Sequence, residues 1–298
     1  MKIIQSFAQF DEGSYYVSHE KNYDVIPLLF YSSLFSYITI KKLYGHVTMF
    51  CNQKAYDTFV KYIPYDEIIL MENKNVFKYW SLYKLDSLRY CNEDAIHIDN
   101  DVFLYSNVLT EFIEGNADII VQDIQSKEDN AVSSQTTNNL DFLKSSGVFT
   151  KKFDGRSVSA GVIGIKKHVQ DLIFNNIDIL KEAIDVGEWS DTVRNGEDLA
   201  TTILDEQSIY LTAVENDLSI YDILPHDLVI KHGIGETGKI IGYAHMWTKH
   251  KYLPENIKDI KRYILFNYTE YQKYIIEYES HVMMQTEIFY ELGLGVRL

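Results

Sequence analysis

Two aspartates separated by one residue, Asp99 and Asp101, are the side chains in this sequence best suited to chemistry. Carboxylate oxygens are the ligands that hard divalent cations such as Mg²⁺ and Mn²⁺ prefer. Aspartate and the intervening Asn100 also favour solvated turns, which is the plainer interpretation of such a motif. Here one apolar stretch, 95–98, precedes the motif and another, 102–104, follows it. These flanks indicate a buried strand end, so we predict that Asp99 and Asp101 bind a divalent metal.

The segments on either side of the motif alternate between strand and helix patterns. Strands are predicted at 2–7, 46–51, 67–71, 95–98, 118–123, 157–166, 227–230 and 239–243, and helices at 28–43, 53–62, 77–91, 168–186, 205–214 and 255–292. This alternation indicates an α/β fold with a central, mostly parallel mixed sheet and helices on both faces. In open sheets of this kind ligands bind at the carboxyl ends of the strands, which is where the aspartate motif would lie.

Composition narrows the classes of partner and compartment. The chain has 298 residues, 46% of them hydrophobic, and a formal net charge of −15, which argues against nucleic acid as a partner. An acidic chain that binds a nucleotide needs a cation to screen the diphosphate. The two cysteines, Cys51 and Cys91, form no disulfide or metal-binding pattern. The first residues do not resemble a signal peptide and no apolar run has the length of a membrane span, so we expect a cytoplasmic protein.

Pro254 marks the expected domain boundary. We predict a catalytic domain over residues 1–253 and a helical C-terminal extension over residues 254–298. The extension mixes lysines with acidic residues and with aromatic side chains such as Tyr263 and Phe266. This mixture argues against a basic membrane-binding helix. It favours packing on the catalytic domain or against a second copy in a homodimer.

The stretch from Ile96 to Val102 resembles the metal motif of GT-A glycosyltransferases. The arrangement is similar to that of family-8-like nucleotide-sugar transferases, such as bacterial galactosyltransferases and glycogenin. Three later segments extend the resemblance in the same order. Ser159-Ala160-Gly161 is similar to the segment that approaches the donor sugar, Asp205-Glu206-Gln207 to a segment near the transferred sugar, and His245 with Lys249 to a metal-binding histidine and a diphosphate-binding lysine.

The resemblance implies a GT-A fold and a glycosyltransferase. Such an enzyme would move a sugar from a nucleotide sugar, expected to be a UDP-sugar, to a hydroxyl of a glycan or similar acceptor. The implied ligands of Mn²⁺ or Mg²⁺ are Asp99, Asp101 and His245, and the implied catalytic residues are Asp101, Glu206 and Gln207. The implied donor-binding residues are Asp99, Asn100, Ser159, Ala160, Gly161 and Lys249. Asp99 could instead accept hydrogen bonds from the ribose, and Asp205 could serve only as a helix N-cap.

Four more donor-binding residues are predicted from position alone. Lys84 lies on the helix before the metal strand, where it could contact the base or ribose, although a surface lysine is the alternative. Ser6, Phe7 and Gln9 follow the first strand, where a nucleotide base docks in sheets of this kind.

Two segments are predicted to be loops, and two other functions remain open. Residues 233–242 match most of a phosphate-loop pattern, but Ile240 replaces the required Ser or Thr, so we predict a flexible loop that could close over the diphosphate. The polar segment 126–139 is predicted as a second loop. A metal-dependent nucleotidyltransferase would also use an aspartate pair. A non-catalytic carbohydrate-binding protein on the same fold is the other alternative.

Overall fold

The computed structural model describes residues 1–9, 29–72, 81–125, 143, 146–150, 155–186, 202–246 and 253–282. The strands are β1 (Lys2–Phe7), β2 (Thr48–Cys51), β3 (Glu67–Leu70), β4 (Ala95–Ile98), β5 (Val102–Leu104), β6 (Ile119–Gln125), β7 (Ser157–Ile165), β8 (Ile220–Asp222) and β9 (Tyr243–His245). The helices are α1 (Leu29–Tyr44), α2 (Gln53–Thr58), α3 (Leu82–Cys91), α4 (Thr110–Ile113), α5 (Lys167–Val186), α6 (Ser208–Glu215), α7 (His226–His232), α8 (Ile234–Ile241), α9 (Pro254–Asn267) and α10 (Gln272–Val282). A π-helical segment, Thr202–Gln207, leads directly into α6.

A seven-stranded sheet with the order β3-β2-β1-β4-β7-β6-β8 is the centre of the fold. The pairs β1–β4, β2–β3 and β6–β8 are parallel, whereas β7 runs antiparallel to β4 and to β6. The predicted architecture, a mostly parallel mixed sheet with helices and a helical C-terminal segment, is therefore observed. The sheet places the aspartate motif directly after the carboxyl end of β4.

The central strands are buried along their whole length, as expected for strands covered on both faces. Every residue of β4 and every residue of β7 is buried. Gly164 of β7 shows how closely they pack, because an added Cβ would lie 2.3 Å from Ile120 Cγ2 and 3.0 Å from Ile96 Cγ1. Only glycine therefore fits at this position between β4 and β6.

The segment from 226 to 242 differs from its prediction. The predicted strands at 227–230 and 239–243 and the predicted loop at 233–242 are wrong, because the chain forms helices α7 and α8 here. Short apolar runs do not distinguish a strand from one or two turns of helix. Two of the glycines lie at helix ends, as Gly233 (φ 78°) follows α7 and Gly242 (φ 84°) follows α8. Positive φ at these ends suits glycine, so these two glycines mark helix termini.

Contacts divide the described residues into two compact units. One draws on positions 1–4, 73–99 and 105–244, and the other on positions 5–72, 100–104 and 245–298. In the second unit, the C-terminal helices share a core with α1. The rings of Phe30 and Tyr278 stack with their centroids 3.9 Å apart, and the Tyr31 hydroxyl donates to Glu279 Oε1 at 2.6 Å. The predicted domain boundary between residues 253 and 254 stays a prediction.

No helix within the described ranges is both long enough and apolar enough to cross a membrane.

Candidate active site

The three predicted metal ligands come together in the structure. One carboxylate oxygen each of Asp99 and Asp101 and a ring nitrogen of His245 all lie within 4.8 Å of one another. His245 Nε2 lies 3.2 Å from Asp101 Oδ1. Asp101 is buried, with 5% of its surface exposed. Two carboxylates and one imidazole form a donor set that suits Mn²⁺ or Mg²⁺, so these residues fit the predicted metal.

Backbone hydrogen bonds fix both parts of this cluster. The chain leaves β4 with the Asp99 amide donating to the Gly161 carbonyl at 2.9 Å. Two residues later the Asp101 carbonyl accepts from the Met246 amide at 2.9 Å. Met246 directly follows His245 in the chain, so this bond places the histidine beside the aspartate it faces. The separation of Asp101 and His245 is thus set by main-chain geometry as well as by side-chain rotamers.

The return of the chain from α8 to β9 depends on small residues. An added Cβ at Gly238 would lie 2.5 Å from the carbonyl oxygen of Tyr243, and one at Gly242 would lie 2.7 Å from Ser106 Oγ. The Tyr105 amide donates to the Gly242 carbonyl at 2.8 Å, which holds this turn. His245 is the last residue of β9, so the turn determines where the histidine lies.

Lys84 of α3 is buried, and the alternative of a surface lysine is wrong. Its ammonium lies 2.8 Å from Asp99 Oδ1 and donates to the Ala160 carbonyl at 2.6 Å. Burial alone would lower the pKa of Lys84, but the charges of Asp99 and Asp205 outweigh burial and raise the pKa. Lys84 therefore remains charged and lies directly against the metal motif.

His97 of β4 is a neutral neighbour of the same carboxylate. Its Nδ1 lies 3.6 Å from Asp99 Oδ1. Burial first, and then the charge of Lys84, hold the pKa of His97 well below its usual value. Lys84 is therefore the positive partner of Asp99, and His97 adds no charge.

The π-helical segment places polar groups in a buried position. Asp205 and Gln207 are buried, with 2% and 0% of their surfaces exposed, whereas Glu206 is partly exposed. Within the described part of the chain, Asp205 Oδ1 and both amide atoms of Gln207 have no hydrogen-bond partner. Buried polar atoms of native proteins are nearly always hydrogen-bonded, so such atoms point to a ligand. π-Helical turns are also frequent at functional sites.

Burial changes the acidity of both carboxyl groups in this segment. It raises the pKa of Asp205 to about 7; the charge of Lys84 opposes this shift and that of Asp99 adds to it. The pKa of Glu206 is also raised, first by burial and then by the charge of Asp205. Asp205 lies inside the π-helical segment and α6 has no side-chain cap, so the alternative of a helix N-cap is wrong.

The donor-sugar segment predicted in β7 lies beside these groups. Ser159 and Ala160 are buried. The carbonyls of Ala160 and Gly161 accept from Lys84 and from the Asp99 amide, respectively. The segment is therefore hydrogen-bonded to the metal motif, and its contact with a sugar stays a prediction.

The remaining predicted nucleotide-binding residues lie in the second unit. Asn100 Nδ2 donates to the Ser6 carbonyl at 3.3 Å, and Phe7 packs edge-on against Phe59 with ring centroids 5.2 Å apart. Gln9 is buried and accepts at Oε1 from the Thr58 hydroxyl at 2.7 Å. These contacts are internal to the protein, and a role of the four residues in binding a nucleotide stays a prediction. Lys249 and the predicted loop at 126–139 lie outside the described residues.

Asp123 is a buried acidic residue near the candidate site that was not predicted from the sequence. It is buried on β6, where its register partner on β7 is Ser159. A register shift between Val121 and Asp123 interrupts the ladder at this point. The charge of Asp123 contributes to the raised pKa of Glu206, which places it near the π-helical segment. The signal was present in the sequence, because an acidic residue follows an apolar stretch here as it does at Asp99.

The sheet and the Asp–Asp–His cluster define an α/β protein with a candidate metal centre. The chain belongs to the family of unknown function DUF6734, whose profile matches residues 1–278. Among curated protein sequences, no match was found.

The chain is similar in structure to several solved glycosyltransferases. One is the galactosyltransferase LgtC in complex with donor and acceptor sugar analogs, at 10% identity and a TM-score of 0.46, with 87% of this chain and 95% of that chain covered. Another is mouse xyloside xylosyltransferase 1, at 11% identity and a TM-score of 0.35, with 82% and 96% covered. A third is a glycosyltransferase involved in the glycosylation of the major capsid of PBCV-1, at 9% identity and a TM-score of 0.41, with 88% and 100% covered.

Proposed function

We propose that this protein is a metal-dependent glycosyltransferase. It transfers the sugar of a nucleotide sugar, a UDP-sugar in our proposal, to a hydroxyl of a glycan or similar acceptor. The observation that carries the proposal is the cluster of Asp99, Asp101 and His245 at the carboxyl end of β4. This is the position at which open α/β sheets bind their ligands.

The predicted metal ligands differ in their charged neighbours. Asp101 Oδ1 lies 3.2 Å from His245 Nε2. Asp99 already shares one oxygen with the Lys84 ammonium at 2.8 Å. We therefore assign Asp101 and His245 as the principal ligands of Mn²⁺ or Mg²⁺, and Asp99 as a weaker ligand or as an acceptor for the ribose. A divalent cation bound there would neutralise charge on the leaving nucleoside diphosphate.

The buried polar groups of the π-helical segment suit a sugar. Gln207 offers both a donor and an acceptor, and Asp205 offers an acceptor oxygen, none of which has a partner among the described residues. Sugar hydroxyls both donate and accept hydrogen bonds, so they can satisfy such groups together. We propose that Gln207 and its neighbour Glu206 orient the transferred sugar through its hydroxyls. Lys84 stabilises the negative charge of the motif and keeps Asp99 in place.

The test is turnover of nucleotide sugars by the purified protein. We expect release of UDP from at least one of a panel of UDP-sugars in the presence of Mn²⁺, and loss of this release with EDTA. Asp101→Asn should lower the rate by about a hundredfold or more, because a metal ligand is lost. Asp171→Asn, at an exposed position on α5, is the matched control and should leave the rate unchanged.

Other outcomes would identify the alternative functions. Release of pyrophosphate from a nucleoside triphosphate and a sugar phosphate would indicate a nucleotidyltransferase and would contradict the proposal. Mn²⁺-dependent binding of UDP-sugars without any turnover would indicate a non-catalytic carbohydrate-binding protein. Equal rates for Asp101→Asn and for the unmodified chain would refute the metal assignment. The cytoplasmic location and the homodimer stay predictions.

A further inference from the structure

A chain of buried hydrogen bonds ends on the residue that follows Asp101. The Tyr65 hydroxyl donates to Gln5 Oε1 at 3.0 Å, and Gln5 Nε2 donates to Ser36 Oγ at 2.8 Å. Ser36 Oγ in turn donates to the carbonyl oxygen of Val102 at 2.5 Å. All four residues are buried, and each belongs to the second unit.

The donors and acceptors of these side chains give the series of hydrogen bonds a direction. A serine hydroxyl has one proton to donate and can accept two hydrogen bonds. Because Gln5 Nε2 donates to Ser36 Oγ, the Ser36 proton is available for the Val102 carbonyl. The Gln5 amide is oriented in its turn by Tyr65, which donates to its oxygen. Each hydrogen bond therefore fixes the orientation of the next side chain, and the last one is accepted by the backbone of β5.

The backbone around Asp101 is held from two sides. The Asp101 carbonyl accepts from Met246, and the next carbonyl along, that of Val102, accepts from Ser36. The Ser36 bond comes from α1, a helix that contributes no metal ligand. One turn further along α1, Thr39 Oγ1 accepts from the Leu104 amide at 3.2 Å. Helix α1 is thus hydrogen-bonded at two positions to β5, the strand that begins directly after the metal motif.

We propose that Ser36, oriented by Gln5 and Tyr65, is a positioning residue that fixes the backbone at Asp101 for metal binding. The proposal rests on the proposed function, in that Asp101 must be a metal ligand for its position to matter. Ser36 touches neither metal nor substrate in this arrangement and acts only through Val102.

Helix α1 provides a matched pair of variants for the test. Ser33 and Ser36 are both fully buried, but Ser33 Oγ has no hydrogen-bond partner among the described residues. Ser33→Ala and Ser36→Ala remove the same atom from the same helix. The measurement is the dissociation constant of Mn²⁺ alone, from the electron paramagnetic resonance signal of the free ion. The free energy of unfolding of each variant is measured beside it, so that binding is compared between folded proteins.

We expect Ser36→Ala to raise the Mn²⁺ dissociation constant by about tenfold and Ser33→Ala to leave it within about twofold, because only the first leaves a buried carbonyl without its donor. Tyr65→Phe, which removes only the first donor of this series of hydrogen bonds, should raise the Mn²⁺ dissociation constant by about threefold. This variant replaces Ser36→Ala in the test if Ser36→Ala does not fold. A merely structural role would lower the free energy of unfolding of Ser36→Ala and leave the Mn²⁺ dissociation constant of both serine variants unchanged, and that result would overturn the proposal. If the unmodified protein bound no Mn²⁺ at all, the proposed function itself would fail, and this inference with it.

Discussion

A methyl group added at Gly238 should destabilise the protein even though Gly238 lies within helix α8. By helix propensity alone, glycine to alanine inside a helix is stabilising by about 0.5–1 kcal/mol. At this position, however, the new Cβ would lie 2.5 Å from the carbonyl oxygen of Tyr243. That oxygen belongs to the backbone, so no rotation of a side chain can relieve the contact. The overlap is about 1 Å relative to ordinary contact distances, and overpacking of this kind costs about 1–3 kcal/mol.

Gly235 of the same helix provides the control. A Cβ at Gly235 would meet no atom within 4 Å, and its φ is not positive. Gly235→Ala should therefore show only the effect of helix propensity and stabilise the protein by about 0.5–1 kcal/mol. We expect the free energies of unfolding of the two alanine variants to differ by about 1–3 kcal/mol, which is the contribution of the contact with Tyr243.

The assay is urea unfolding followed by circular dichroism, combined with Mn²⁺ titration. Tyr243 begins β9 and His245 ends it, so a shift of the turn should weaken Mn²⁺ binding in Gly238→Ala but not in Gly235→Ala. If both variants changed stability by the same amount and in the same direction, the assigned contact between α8 and β9 would be wrong.

Two further predictions concern the site itself. His245→Ala should raise the Mn²⁺ dissociation constant by about tenfold or more, because a ligand is lost, while the protein should still unfold cooperatively in EDTA. Unchanged Mn²⁺ affinity in calorimetric titration would remove His245 from the metal site. Asp205 has a pKa raised to about 7, so between about pH 4 and pH 7 its carboxyl binds a proton in the folded state that the unfolded chain has released. The contribution of Asp205 to stability is therefore present at about pH 4 and is lost as the pH rises towards 7, and Asp205→Asn should reduce this slope in urea unfolding measured across that range. Identical slopes for both proteins would show that Asp205 is ionised throughout.

The metal strand and its motif could be predicted because their signal is local. Four buried residues, 95–98, precede Asp99. An apolar run followed by an acidic motif can be recognised in the sequence without knowledge of tertiary contacts. The strand prediction at 157–166 and the helix prediction at 168–186 are confirmed by β7 and α5 for the same reason. Burial on both faces makes β7 a run of apolar and small residues, and α5 has regular helical spacing.

The features that the sequence did not reveal depend on contacts distant in the chain. Strand β8 is only three residues long and is a strand because it pairs with β6, about 100 residues earlier. Lys84 is a buried ion-pair partner because it contacts Asp99 and the Ala160 carbonyl. The residues next to position 84 in the sequence do not indicate these contacts. Asp123 was placed in a predicted strand, but its neighbourhood depends on the register of β6 with β7.

The joint core of α1 and the C-terminal helices has a consequence for the order of biosynthesis. Phe30 and Tyr278, which stack on each other, are separated by about 250 residues, so the apolar face of α1 leaves the ribosome long before its partner exists. At about 5–20 residues per second the delay is about 12–50 seconds. During that time buried side chains of α1 such as Tyr31 and Leu34 are open to premature association or to chaperones. Nascent chains arrested before residue 254 should therefore remain protease-sensitive at α1, and full resistance should appear only when α9 and α10 have been synthesised.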